Sequence, residues 1–136
     1  DPALGNIKAE SRALAPLREA ARTGAPIPWV QVHRLPDYAY FNHAVHVSRG
    51  VSCVSCHGQV NEMEVVSHAK SLSMAWCLEC HRNPDPHLRP ADEVTNLDWV
   101  AGLDPRTSGD AGAAWLEEMK QRADIVPPQS CSGCHR

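Results

Sequence analysis

The strongest constraint on this chain is a five-residue pattern that occurs three times. All six cysteines fall into pairs separated by two residues, and a histidine follows each pair, as "CVSCH" at 53–57, "CLECH" at 77–81 and "CSGCH" at 131–135. C-x-x-C-H is the attachment pattern of c-type haem: the two thiols add across the porphyrin vinyl groups, and the adjacent imidazole becomes the proximal ligand of the iron. The residues that would hold three haem c groups are Cys53, Cys56 and His57, then Cys77, Cys80 and His81, then Cys131, Cys134 and His135.

Zinc and disulfide bonds are the alternatives for paired cysteines. Twenty residues separate Cys56 from Cys77, a spacing that also fits a zinc ribbon. A ribbon would leave the third pair unused, however. Histidine makes up 8 of the 136 residues, so a histidine after all three pairs would arise by chance about 2 times in 10,000. We therefore expect three covalently attached haem c groups, with zinc or disulfides as the alternatives.

The composition predicts a chain with little apolar core of its own. Aromatic residues make up 5%, and the chain contains 11 Pro and 8 Gly, which is typical of a loop-rich fold. Covalently attached haem can stabilise a small fold whose apolar core is insufficient. We expect a mostly irregular fold with short α-helices and a haem-dominated core, and no stable fold when haem is not attached.

Two parts are expected along the chain. Residues 1–24 are interpreted as an N-terminal helical segment, in which Pro16 interrupts or restarts a helix over 4–23 and Gly24 ends it. Residues 25–136 are expected to form the trihaem domain. Its first part is proline-rich and extended.

A second clear helix is predicted over residues 111–124, where Trp115, Met119 and Arg122 share one face. The carboxylates of Glu117 and Glu118 fall on its solvent face rather than in an acid–base pair. The second and third cysteine pairs are 50 residues apart, so the third motif either lies on a separate lobe or is brought back by this helix.

Charge and hydropathy exclude several classes of function. The formal net charge is −3, with no basic run that would bind nucleic acid. No stretch of about 18 apolar residues is present to span a membrane, and there is no phosphate loop or nucleophile elbow. Haem is attached outside the bacterial cytoplasm, so we expect export to the periplasmic or extracellular face. A signal or anchor segment was then cleaved or is missing from this chain.

Five histidines remain after the three proximal ligands are assigned. They are His33, His43, His46, His68 and His87. His43 and His46 are the strongest candidates for distal ligands, since residues three apart share a helix face and still diverge enough to reach different haems. His87, in a proline-rich loop, is interpreted as having no ligand role.

The segment "FNHAVH" followed by "CVSCH" resembles the opening of small class III multihaem cytochromes c. The resemblance implies that one of His43 and His46 binds the haem on Cys53 and Cys56. The other would bind a second haem, for which the haem on Cys131 and Cys134 is the first candidate.

A closer resemblance covers most of residues 17–136. "PIPWVQVHRLPDYAYFNHAVHVSRGVSCVSCHG", "LSMAWCLECHRNP" and a terminal "CSGCHR" are similar to the multihaem cytochrome subunit of alternative complex III, a quinol-oxidising membrane assembly. That subunit carries five haems where this chain has three motifs, so either two haems are missing from this chain or it is a trihaem relative. Within the matching part, His33 ranks first as the third distal ligand. His68 and Met74 follow.

Bis-histidine ligation fills both axial positions, so it predicts electron transfer rather than small-molecule chemistry at the iron. We expect a relay of closely spaced bis-histidine haems that is not itself an enzyme. Its partners would be redox proteins, among them quinol-oxidising membrane subunits through which it associates with the membrane. The alternatives are an enzyme with one five-coordinate haem, a free periplasmic carrier, and a self-associating building block of an extracellular filament.

Overall fold

The computed structural model describes residues 9–135, and within them it consists of short helices joined by irregular segments. The six α-helices of this part are α1 (Ala15–Thr23), α2 (His43–Ser48), α3 (Cys53–His57), α4 (Met74–Arg82), α5 (Gly109–Arg122) and α6 (Cys131–Cys134). β-Structure in the same residues is limited to two isolated bridges. The prediction of a mostly irregular fold with short helices is confirmed.

The chain divides into two compact units between Gln31 and Val32. In the first unit a 3-10 turn leads into α1, and Pro16 lies in the first turn of that helix, where the missing N–H has no intrahelical partner to lose. Within the predicted helix over 4–23, residues 9–14 form a turn and a 3-10 helix, and the α-helix begins at Ala15. The first residues of the predicted helix lie outside the part that the structure describes. Gly24 ends α1, as predicted. Its φ is 74°, and its N–H donates a hydrogen bond to Ala20 O.

In the second unit, polar caps begin the helices that carry candidate ligands. Asn42 accepts a hydrogen bond from Ala44 N at the start of α2, Ser52 accepts one from Val54 N at α3, and Ser73 accepts one from Trp76 N at α4. Each cap satisfies a backbone donor that a helix start leaves unpaired. These caps determine where the short helices begin, and hence where their histidines lie.

The loop after α4 packs beside α3. Arg89 N donates to Gly50 O (2.9 Å), and Ser52 N donates to His87 O (3.2 Å). These contacts bring Leu88 and Val94 into the interior, which they share with Met119 of α5. Together with Pro90, they are the buried apolar side chains among residues 9–135, so the core of the polypeptide is thin.

A charged cluster organises the rest of this loop. Arg106 forms ion pairs with Asp92, Glu93 and Asp104, and Trp99 Nε1 donates to Asp104 Oδ2 (2.9 Å). Arg106 and Trp99 hold the pKa of the Asp104 carboxyl well below its usual range by hydrogen bonding to the charged form.

The helix predicted over 111–124 is observed as α5, and it begins two residues earlier. Its Met119 is buried against Gly50, which has φ +80°. None of the helices in the part of the chain described here is long and apolar enough to cross a membrane.

Candidate functional site

Each C-x-x-C-H motif lies on a short helix or at its end. The first motif forms α3, the second is the C-terminal half of α4, and the third forms α6 with His135 directly after it. In a helix, cysteines three residues apart project from one face, and the next residue lies beside the first of them. All six cysteines are unbridged thiols. The motifs therefore present paired thiols and an adjacent imidazole, as haem attachment requires.

Two candidate distal histidines lie opposite two proximal ones. The ring centroids of His43 and His57 are 6.2 Å apart with planes 8° from parallel, and those of His46 and His81 are also 6.2 Å apart, at 32°. An imidazole nitrogen bonds a metal at about 2.0–2.1 Å, and the ring centre lies roughly 1.1 Å further out, so two imidazoles on opposite sides of one metal have centres roughly 6.2 Å apart. Both pairs have the separation of axial ligands to a common iron.

Helix α2 presents its two histidines to different motifs. The ring of Phe41 contacts both, at 4.7 Å from His43 and 4.5 Å from His46. The cap of Asn42 fixes the start of the helix. The resemblance named the Cys131 and Cys134 haem for the second histidine, whereas in the structure His46 lies opposite His81 of the second motif.

Backbone carbonyls orient three of the candidate ligands through the same nitrogen. The Nδ1 atoms of His46, His81 and His135 lie 2.8 Å from Asn42 O, 2.6 Å from Pro128 O and 3.3 Å from Tyr38 O. An imidazole that donates from Nδ1 to a carbonyl keeps the lone pair of Nε2 for a metal, which is the usual support for metal-bound histidine.

Burial favours the neutral form of two ligands and the protonated form of the thiols. It lowers the pKa of His46 and of His57, and nearby histidines lower both further. Burial also raises the pKa of Cys56 to about 11, with further increases from Cys80 and Cys77. The rings are thus available as neutral ligands. The thiols of the first two motifs are close neighbours.

The third motif is brought back to the start of the second unit. Tyr40 N donates to Cys134 O (2.7 Å), Ala39 forms a bridge with His135, and the Tyr38 and His135 rings are 5.8 Å apart. The Cys77 thiol has its pKa raised by burial and then by Cys134. The second motif thus has neighbours in both the first and the third.

The remaining candidates lie in other places. The ring of His33 meets that of His57 edge-on at 4.4 Å and that of His68 at 4.7 Å, distances that are too short for ligands on opposite sides of one iron. The Nε2 atom of His68 forms a hydrogen bond with Val32 O (2.6 Å). Nδ1 of His87 bonds Ser55 Oγ (3.1 Å) within α3. The structure therefore places His33, the first-ranked third distal ligand, beside the first motif.

Sequence reasoning missed the residues that support these ligands. The Asn42 cap carries a readable signal, because asparagine directly precedes a short helix. The carbonyls of Pro128 and Tyr38 carry no such signal, because Pro128 is 47 residues from His81 and Tyr38 is 97 residues from His135.

Among residues 9–135, no group of three or more His, Cys, Asp or Glu side chains is arranged to hold a metal ion. Each motif sets two thiols beside an imidazole, which is the donor set of the haem c attachment pattern. No protein-family model matches this chain, and no curated protein matches it.

Proposed function

We propose that this protein is an electron-transfer cytochrome with three covalently attached haem c groups. The observation that carries the proposal is the pair of 6.2 Å separations, His43 to His57 and His46 to His81. Each pair joins the histidine of a C-x-x-C-H motif to one that lies outside the motifs.

The haem groups would be attached through Cys53 and Cys56, through Cys77 and Cys80, and through Cys131 and Cys134. When bound, haem supplies a one-electron Fe(III)/Fe(II) couple. The chain would supply the axial imidazoles, and backbone carbonyls at Nδ1 of His46, His81 and His135 would hold the orientation and tautomer of those three rings. With two imidazoles on each iron, the paired sites would exclude substrates from the metal.

The thin apolar core supports a haem-dominated interior of the class III kind. Leu88, Pro90, Val94 and Met119 have the buried apolar side chains of the described residues, which is a small core for a domain of this length. Three porphyrins would add the apolar bodies around which the short helices pack. The apparent stability of the fold would then depend on haem attachment.

The neighbouring motifs support a relay. His43 and His46, which lie opposite the first and second motifs, belong to one short helix. Pro128 O, three residues before the third motif, lies 2.6 Å from His81 Nδ1 of the second. The second motif would then lie between the other two. An electron would pass from the first site through the second to the third, or in reverse.

We propose a location at the periplasmic or extracellular face, in a respiratory membrane complex that includes quinol-oxidising subunits. The likeness to the cytochrome subunit of alternative complex III supports this placement. In the first unit, Trp29 and Val30 fall in the segment that carries this likeness, and their side chains are 83% and 86% exposed. Exposed apolar side chains of this size suit a protein partner.

The test begins with the haem count. The full chain is produced with a haem-attachment system, and its intact mass should show three haems covalently bound. Replacing both cysteines of one motif by serine should remove one haem for each motif treated. A chain that carries metal but no covalent haem would refute the proposal in favour of zinc.

The second test concerns the complex. Native membranes are solubilised mildly, separated by size, and the polypeptide is followed by its covalent haem. Migration with quinol-oxidising activity is expected. Migration as a free small protein or as a long homopolymer would replace the subunit proposal with the carrier or the filament.

A further inference from the structure

Both histidines of the pair at the second motif are hydrogen-bonded to the backbone. Nδ1 of His46 lies 2.8 Å from Asn42 O, and Nδ1 of His81 lies 2.6 Å from Pro128 O. A carbonyl oxygen can only accept a hydrogen bond, so each Nδ1 carries the proton and donates it. The two Nε2 atoms of the pair are therefore left with their lone pairs for a metal.

The other two motifs have weaker support of this kind. At the third motif, Nδ1 of His135 lies 3.3 Å from Tyr38 O, just beyond the usual N–H···O range of about 2.7–3.2 Å. At the first motif, His57 instead meets the ring of His33 edge-on at 4.4 Å. Within the described part of the chain, no hydrogen bond to a backbone carbonyl is found for the rings of His57 and His43.

Pro128 is held at His81 by the third motif. The ring of Pro128 packs on Gly133, since a Cβ added to that glycine would lie 2.6 Å from Pro128 Cβ and 3.3 Å from Pro128 Cγ. Gly133 N also donates a hydrogen bond to Ser130 O (3.1 Å) in the first turn of α6. The absence of a side chain at Gly133 thus allows the close approach that brings the Pro128 carbonyl to His81.

A hydrogen bond from Nδ1 makes an imidazole a stronger donor to a metal through its other nitrogen. Stronger donation from an axial ligand stabilises Fe(III) relative to Fe(II), and hydrogen bonding around the ligands is one of the means by which a protein tunes the potential of haem. The pair at the second motif has this bond on both imidazoles, at the two shortest distances. Its iron would therefore be the hardest of the three to reduce.

We propose that Pro128, held in place by Gly133, gives the second centre the lowest reduction potential of the three. Pro128 is a positioning residue, because it acts through the His81 imidazole. The inference rests on the proposed function, since it requires a haem at each motif. Electrons would then reside on the first and third centres and occupy the second only while they pass between them.

The test compares Gly133→Ala with Ser132→Ala in the full, haem-loaded chain. Both residues lie between the two cysteines of the third motif, so the attachment pattern is unchanged. An alanine side chain at 133 would collide with the rigid ring of Pro128 and displace its carbonyl from His81, whereas Ser132 is exposed. In a redox titration, Gly133→Ala should shift the lowest of three one-electron steps to higher potential. Ser132→Ala should leave all three steps in place.

Ligand replacement identifies the centre that gives the lowest step. A thioether raises the potential of a haem relative to an imidazole, so His46→Met should raise the lowest step and His43→Met should raise a different one. The proposal is overturned if His43→Met moves the lowest step. It is also overturned if Gly133→Ala leaves that step unchanged in a protein with three haems. A haem count below three in the unsubstituted protein would instead refute the proposed function.

Discussion

Gly50 joins the helix that carries the candidate distal ligands to the first motif, and Gly50→Ala tests whether this junction is as tightly packed as the structure indicates. Gly50 has φ +80°, and an added Cβ would collide with Met119 Cε and lie 2.7 Å from Arg89 O. The methionine end can move. The carbonyl cannot, because its residue donates a backbone hydrogen bond to Gly50 O.

The expected loss of stability has two parts. Holding an alanine at positive φ costs about 1–2 kcal/mol, and overpacking costs about 1–3 kcal/mol. The reduced freedom of the unfolded chain offsets about 0.4–1 kcal/mol. The net expectation is a free energy of unfolding lower by about 1–5 kcal/mol, which is a large share of the stability of a small domain.

Two other glycines separate these contributions. Gly109 has φ +56° with nothing within 4 Å of an added Cβ, and Gly102 has open space without a positive φ. Gly109→Ala therefore reports the backbone strain, and Gly102→Ala reports neither strain nor collision. Guanidinium unfolding of the haem-loaded variants, followed by circular dichroism, measures all three. If Gly50→Ala loses no more stability than Gly109→Ala, the described packing of Met119 and Arg89 against Gly50 is wrong.

Three further outcomes are expected. His43→Ala and His46→Ala should each let one reduced haem bind carbon monoxide, seen in difference spectra, whereas His87→Ala should leave every iron closed. Hydrogen bonds from Arg106 and Trp99 lower the pKa of Asp104, so the stability contributed by its carboxylate is present above the ordinary carboxyl pKa and is lost as pH falls through the lowered value. Asp104→Asn should therefore flatten the acid limb of a stability–pH curve. Without haem attachment, circular dichroism should show no cooperative thermal unfolding, and a folded apo-protein would contradict the thin-core argument.

Local structure was predictable from the sequence because it depends on the spacing of nearby residues. The helix ending at Gly24 and the helix that became α5 follow from turn and periodicity signals within a few residues. The candidate ligand positions likewise follow from the C-x-x-C-H spacing. The start of α1 was less certain, because Pro16 is compatible with either breaking or beginning a helix, and the structure places it in the first turn.

Which histidine lies opposite which motif was not predictable from spacing. His43 and His46 are three positions apart, which implies that their side chains diverge but does not show which motif each one faces. Which motif each histidine faces depends on contacts between residues distant in the sequence. Examples are the contact of His81 Nδ1 with Pro128 O and the hydrogen bond from Tyr40 N to Cys134 O. No periodicity in the sequence reports contacts of that separation. Ring contacts with His57 and His68 place His33 beside the first motif, although its position in the matching segment had ranked it first as the third distal ligand.

In the proposed cytochrome, helix α2 would hold two neighbouring redox sites at a fixed separation. It has six residues, yet it provides a candidate ligand to each of two motifs, and Phe41 packs against both rings. A helix of this length is not stable by itself in water. Ligation at two irons would therefore fold the helix, and the folded helix would in turn fix the separation of the irons. If this coupling holds, removing either His43 or His46 should disturb the spectrum of the centre opposite the remaining histidine as well as its own. If the two sites are independent, only the spectrum of the centre that has lost its histidine should change.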